Sequence, residues 1–103
     1  IVRLCGGDLG FTSALTYDFE VYAMGQNKWL EVSSVSNFES FQSNRLNLKI
    51  DFGDKKKCCA HTLNGSSLAL PRIVACILEN FQEKDHIKIP EILHKYTGFK
   101  QIK

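Results

Sequence analysis

Tyr17-Asp18-Phe19-Glu20-Val21-Tyr22-Ala23-Met24-Gly25-Gln26-Asn27-Lys28-Trp29-Leu30-Glu31-Val32-Ser33-Ser34-Val35 is the stretch whose reading decides the fold class. From Tyr17 to Ala23 the residues alternate, with Tyr17, Phe19, Val21 and Ala23 on one side and Asp18, Glu20 and Tyr22 on the other. That period of two is the mark of a half-buried strand. Lys28 to Val35 alternates again, and Gly25-Gln26 between them suits a two-residue turn of type II′, with glycine where φ must be positive, a longer loop being the alternative. Folding back on that turn sets Phe19 against Val32 and Val21 against Leu30 on the apolar side. On the other side Tyr22 meets Trp29, Glu20 meets Glu31 and Asp18 meets Ser33. Every pair sorts by polarity, as a hairpin with one buried face requires. The expected class is α+β, an antiparallel sheet flanked by helices.

Further along the chain, Ser36-x-x-Glu39 reads as a capping box opening a helix that runs to about Asn47. Alternation resumes through Leu46, Leu48, Ile50 and Phe52, so that helix hands over to a strand near Leu46. A turn over Gly53 to Lys57 follows, and its basic run Lys55-Lys56-Lys57 reads as a solvated loop, with a contact to nucleic-acid phosphate as the alternative. Cys58 to Leu63 then returns as a strand. The polar run His61-Thr62-Leu63-Asn64-Gly65-Ser66-Ser67 feeds into Leu68-Ala69-Leu70-Pro71-Arg72. Pro71 suits a first helical position, and Ile73, Val74, Ile77, Leu78 and Phe81 recur at helical spacing, giving a buried face to a helix ending near Gln82. Before the hairpin, Val2 to Cys5 reads as a short strand and Gly6-Gly7-Asp8 as the start of a loop. The tail carries Lys88-Ile89-Pro90 as an edge strand before a last helical turn.

Two features of this layout carry chemistry. Glu20 facing Glu31 sets like charges against each other, which costs a sheet stability; either a divalent metal or a cationic substrate accounts for the pair, or both carboxylates reach into water. Arg72 stands on the first turn of an apolar helix, with no acidic neighbour in sequence. Taken alone the segment also reads as a solvated arginine at a helix start; a guanidinium fixed there suits an anion or a flat ring, because it forks onto phosphate oxygens or stacks on an aromatic plane.

Composition narrows the classes. Hydrophobic residues make up 44% and charged residues 23% of the 103, ordinary for a globular domain. A net charge of +2 does not by itself argue for nucleic acid. No apolar run reaches the length of a membrane span. Cys58 and Cys59 are adjacent and point to opposite faces of a strand, and no second ligand pair follows at zinc-finger spacing. The four cysteines make no disulfide framework, so the expected compartment is the reducing cytoplasm. Neither a P-loop nor a GxGxxG motif is present, so a nucleotide would be bound by another route.

Four segments, in order and spacing, resemble the C-terminal part of the seryl-tRNA synthetase family: Thr16 to Tyr22, Gly25-Gln26-Asn27, Glu31 to Asn37, and His61 to Arg72. Ile89-Pro90-Glu91-Ile92-Leu93 with Tyr96 is similar to that family's ending. The resemblance implies a class II aminoacyl-tRNA synthetase catalytic domain, with the Arg72 segment as motif 3. It implies ATP binding by Glu31, Val32, Ser33, Ser34 and Arg72, a serine pocket involving Asn64 and Ser66, and Mg²⁺ held with ATP by Glu31 and Ser34. Arg72 is implied to stack on adenine and reach the γ-phosphate. Residues three apart fall on opposite faces of a regular strand, so sharing one ion between Glu31 and Ser34 requires a distortion near Ser33. Leu70-Pro71 stands where other members have Val-Gly, and Asn44 stands where many have an arginine beside the one matching Arg45.

Residues 1–103 are therefore expected to be the C-terminal segment of a longer enzyme, without its tRNA-binding arm, motif 1 or motif 2. The implied activity is ATP-dependent activation of L-serine and transfer to tRNA(Ser), in an enzyme that is a homodimer at full length. A ligase charging a carrier protein, or a non-catalytic truncated paralogue, are the alternatives.

Overall fold

The computed structural model describes residues 1–53 and 56–103; the Lys55 part of the expected basic loop lies outside them. In chain order the first elements are β1 (Val2–Arg3), β2 (Leu15–Ala23), β3 (Lys28–Glu39), α1 (Phe41–Leu46), β4 (Lys49–Asp51) and β5 (Lys57–Cys59). There follow β6 (Thr62–Gly65), α2 (Leu70–Asn80), β7 (Ile87–Lys88), a 3₁₀ turn (Glu91–Leu93), α3 (His94–Thr97) and β8 (Gln101–Ile102). The main sheet has the order β1-β2-β3-β6, and β4-β5 and β7-β8 form two-stranded sheets. Every pairing whose register is described is antiparallel. Two compact units divide the chain: Ile1–Phe19 with Ser33–Ser67, and Glu20–Val32 with Leu68–Lys103.

In the first unit, Val2 pairs with Asp18 and Arg3 with Tyr17. β3 pairs with β6, Val35 opposite Gly65, Ser36 opposite Asn64 and Asn37 opposite Leu63. The register then shifts between Asn37 and Glu39, where Glu39 has a positive φ of 46°. This corrects the expected capping box, because Ser36 and Glu39 belong to a strand. The Ser36 hydroxyl pairs with the Thr16 hydroxyl at 2.7 Å instead of capping a helix. Helix α1 starts at Phe41 and ends on Asn47, whose left-handed φ of 53° is one that asparagine tolerates. The expected strand from Cys58 to Leu63 is two strands: Cys58 and Cys59 pair with β4, and Thr62 begins β6. Lys57, read as loop, lies in β5 with its ammonium 3.3 Å from Asp51.

Burial in this unit also departs from the alternation. Thr16 and Asp18 are buried, whereas Tyr17 and Phe19 are about two-fifths exposed. The face expected to be apolar and covered is the open one here, and the polar face carries the burial. Hydroxyl pairing makes this affordable for Thr16, which bonds both Ser13 and Ser36.

In the second unit, the turn between β2 and β3 spans Met24 to Asn27, with Gln26 N–H bonded to the Ala23 carbonyl at 3.2 Å. Positive φ falls on Asn27, at 52°, and not on Gly25, so the expected type II′ turn is replaced by a longer loop. Tyr22 and Trp29 do meet, edge to face with ring centroids 5.3 Å apart. Pro71 is the second residue of α2, one place later than expected, and the helix stops at Asn80. The tail folds as β7, the 3₁₀ turn and α3, closed by Gly98 at φ 74°.

Candidate functional site

Within the second unit, Arg72 lies on the first turn of α2 and is exposed. Its Nη1 donates to the Glu31 backbone carbonyl at 2.6 Å. Just before the helix, Ala69 N–H donates to the Val32 carbonyl at 2.7 Å. These two bonds tie the start of α2 to consecutive residues of β3. A cavity of about 460 Å³ opens beside them, lined by Gln26, Lys28, Trp29, Leu30, Glu31, Pro71, Arg72 and Ala75. The guanidinium so held is a fixed cation with donors to spare, suited to an anionic or planar ligand. Glu31 and Glu20 are both exposed, which lets water screen their mutual repulsion.

The helix is seated by Cys76, 3% exposed, with Ile73, Ile77 and Leu78 half-buried. Val74 and Phe81, expected on the covered face, are 53% and 40% exposed. Burial pushes the Cys76 thiol up from its ordinary value, and the charge of Glu79 adds to this. At the far end of α2, Asn80 Nδ2 donates to the Tyr22 carbonyl at 2.8 Å, and Asn80 Oδ1 accepts from Met24 N–H at 3.0 Å. Glu79 Oε2 accepts from Gly25 N–H at 3.1 Å, and Glu79 Oε1 from Gln26 Nε2 at 3.4 Å. Sequence reasoning passed over this pair. The available signal was an acidic residue at the C-terminal, negative end of a helix, where it opposes the helix dipole. A larger cavity, about 600 Å³, lies by the tail between Phe81 and Gln101, and no expected site residue lines it.

Within the first unit, Ser33, Ser34 and Ser66 come together. Ser33 Oγ donates to the Ser66 carbonyl at 2.5 Å, Ser34 N–H donates to Ser66 Oγ at 3.2 Å, and Ser66 N–H donates to the Ser34 carbonyl at 3.1 Å. Ser66 thus extends the pairing of β3 one residue beyond β6, and its hydroxyl keeps a proton to donate. Ser33 is buried and Ser34 half-buried. Asn64 is exposed on β6, opposite Ser36. Thr62 also sits in β6, its hydroxyl bonded to Gln42 Oε1 at 2.7 Å. Arg45 Nη1 donates to the Phe41 carbonyl at 2.9 Å and its guanidinium lies 3.5 Å over the Phe41 ring. Asn44 Oδ1 accepts from the Cys59 thiol at 2.9 Å. Both residues are thereby committed to local structure.

The register break in the β3–β6 pairing, described from Val35 to Glu39, lies between Asn37 and Glu39. At Val32 and Ser33 two consecutive residues are buried, 6% and 7% exposed, so alternation of burial does fail there. Among the described residues, no group of three or more His, Cys, Asp or Glu side chains stands together to hold a metal. No described helix is long and apolar enough to cross a membrane.

Comparison with known proteins bears on the identity of these segments. Serine–tRNA ligase of Finegoldia magna is 54% identical over 100 residues, covering 96% of this chain and 24% of that protein. The corresponding ligase of Caldicellulosiruptor saccharolyticus is 54% identical over 104 residues, covering 100% of this chain and 25% of that protein. The chain thus spans about a quarter of the length of the curated relatives it matches. Among solved structures, seryl-tRNA synthetase of Pyrococcus horikoshii complexed with ATP superposes with a TM-score of 0.88 at 46% identity, over 97% of this chain and 23% of that one. The cytoplasmic serine–tRNA ligase of Naegleria fowleri in complex with AMP gives 0.87 at 31%, over 98% and 25%. The antiparallel sheet with its helices is therefore that of seryl-tRNA synthetase catalytic domains. The family described as the tRNA synthetase class II core domain (G, H, P, S and T) matches residues 1–81, and to that family the chain belongs.

Proposed function

We propose that this chain is the motif 3 part of an enzyme that activates L-serine with ATP and transfers it to tRNA(Ser). The observation that carries the reading is the bond from Arg72 to the Glu31 carbonyl. It ties the motif 3 arginine to the strand residue to which the family resemblance gives a place in the ATP site.

In this reading the serine carboxylate attacks the α-phosphorus of ATP, the bond to the bridging oxygen breaks, and seryl-adenylate and pyrophosphate result. A hydroxyl of the tRNA 3′ end then takes the seryl group and releases AMP. The chain's residues contribute position and charge, not covalent chemistry. Arg72 stacks on adenine and meets the γ-phosphate, while Glu31, Val32, Ser33 and Ser34 line the nucleotide. Asn64 and Ser66 serve the serine hydroxyl, since a pocket that pairs a substrate hydroxyl rejects the analogue lacking it. Residues 1–103 act as the C-terminal segment of a catalytic domain, in a cytoplasmic homodimer.

Mg²⁺ fits the donor set in one respect: a carboxylate and a hydroxyl are the hard oxygens it prefers beside phosphate. Glu31 and Ser34 would hold it, with ATP oxygens and water completing its shell. Bound there, the ion would neutralise phosphate charge. Two protein oxygens make no dedicated metal cage, so the ion belongs with the nucleotide.

The test is serine-dependent ATP–pyrophosphate exchange by the full-length protein carrying this segment. Arg72→Ala should slow exchange by a factor on the order of 100, comparable to losing one preorganised charge-stabilising group. Arg72→Lys should recover little, because an ammonium reproduces neither fork nor stack. Arg72→Ala activity within about threefold of the parent, short of the roughly 1.4 kcal/mol of a tenfold loss, would remove Arg72 from the reaction.

A further inference from the structure

We infer that Glu79 and Asn80 are positioning residues for Arg72, acting from the opposite end of the same helix. This rests on the proposed serine activation. Helix α2 is short, 11 residues, and each end of it is fixed to the β2–β3 hairpin by different chemistry. At the start the links are Ala69 N–H to the Val32 carbonyl and Arg72 to the Glu31 carbonyl. At the end, Asn80 both donates to the Tyr22 carbonyl and accepts from Met24 N–H, while Glu79 takes Gly25 N–H and Gln26 Nε2.

Four observations single the clamp out from ordinary packing. A carboxylate in the last turn of a helix is unfavourable to the helix itself, so Glu79 owes its place to the hairpin. Asn80 uses donor and acceptor at once, on backbone groups two residues apart, which fixes orientation as well as distance. Gly25 makes room for it: a Cβ there would sit 2.9 Å from Glu79 Cδ and 3.1 Å from Glu79 Oε2. A side chain at position 25 would press only on the far end of the Glu79 side chain. Finally, Arg72 is exposed and the apolar seat of α2 is thin, with Cys76 its only buried side chain among the described residues. With its hydrogen bonds to the hairpin placed at its two ends, the helix tilts on its apolar seat when one end is freed, and the guanidinium moves with it. Displacement of about 1 Å at a reacting centre costs roughly 100-fold in rate.

The experiment uses the full-length protein carrying this segment, with Asn80→Ala, Glu79→Ala, Glu79→Gln and Gly25→Ala. Kinetic constants for pyrophosphate exchange are read well below each variant's Tm, alongside hydrogen exchange at the Met24 and Gly25 amides. Asn80→Ala should lower kcat roughly 10- to 100-fold and raise KM for ATP, with KM for serine within about twofold. Glu79→Ala should act in the same direction, and Gly25→Ala, whose Cβ meets only the movable end of the Glu79 side chain, should have the weaker effect. Glu79→Gln keeps an acceptor for Gly25 N–H and should restore most of the rate. Faster exchange at Met24 and Gly25 should accompany the loss. If those amides are exposed yet kcat and KM for ATP stay at parental values, the positioning role is overturned while serine activation stands. If the parent itself shows no serine-dependent exchange, the proposed activity fails, and the role argued for Glu79 and Asn80 fails with it.

Discussion

In the unit made of Glu20–Val32 and Leu68–Lys103, the buried side chains are Ala23, Val32, Cys76 and Ile89; in the unit made of Ile1–Phe19 and Ser33–Ser67, they are Thr16, Asp18, Ser33 and Ser43, all among the described residues. Both units contain strands, a helix and exposed apolar residues, so composition does not explain the contrast. Apolar burial asks only for area removed from water. Polar burial asks each group for a partner at the right distance and angle. Thr16 finds Ser13 and Ser36, Ser33 finds the Ser66 carbonyl, and Ser43 finds the carbonyls of Ser40 and Ala60. Asp18 Oδ1 is buried without a partner among the described residues. One unit therefore depends on area and tolerates approximate shape, while the other depends on bond geometry.

The contrast can be broken by exchanging the demands. Val32→Asp in the apolar unit buries an unpaired charge and should cost more than about 4 kcal/mol, measured as a urea midpoint shift. A loss under about 1 kcal/mol would mean Val32 is not in a dry environment. Ser43→Ala takes the hydroxyl donor from the Ala60 carbonyl, while the Ser40 carbonyl keeps Asn44 N–H, and should cost about 1–3 kcal/mol; no loss would show that the Ala60 carbonyl is served by water. For Cys76, the native thiol's raised value means its stability contribution is complete below the unfolded thiol's pKa, about 8.5, and declines as pH rises beyond it. Thiol labelling at pH 8 should accordingly modify the exposed Cys5 and Cys58 first and Cys76 only on unfolding. Equal labelling rates would dissolve the apolar seat of α2. Asp18→Ala should be the smallest effect, within about 1 kcal/mol, since no bond is lost at Oδ1. A loss of 2 kcal/mol or more would reveal a partner for that oxygen.

The hairpin was legible because its period-two pattern and the Tyr22–Trp29 pairing are local. The bond from Gly25 N–H to Glu79 was not, because the two residues lie 54 apart. Ser36-x-x-Glu39 carries every local mark of a helix start, yet Thr16, 20 residues upstream, claims the Ser36 hydroxyl for a strand. Which face of β2 is covered was likewise out of reach, because alternation gives two faces and does not say which is packed. At the site, Arg72 was conspicuous as a lone guanidinium on an apolar helix. Its partner was not, since the acceptor is a backbone carbonyl, and every residue carries one.

The separation between Gly25 and Glu79 also sets an order of events during synthesis. A ribosome adds roughly 5–20 residues per second, so the hairpin loop emerges about 3–11 s before the carboxylate that seats against it. The hairpin itself closes in microseconds, and for those seconds its loop amides are bonded to water. Docking of α2 is then a late, long-range event, and the contacts of Asn80 and Glu79 should be nearly absent from the folding transition state. Changes there should speed unfolding and leave the folding rate almost untouched. The residues inferred to aim Arg72 thus also govern how long the helix, once docked, remains in place.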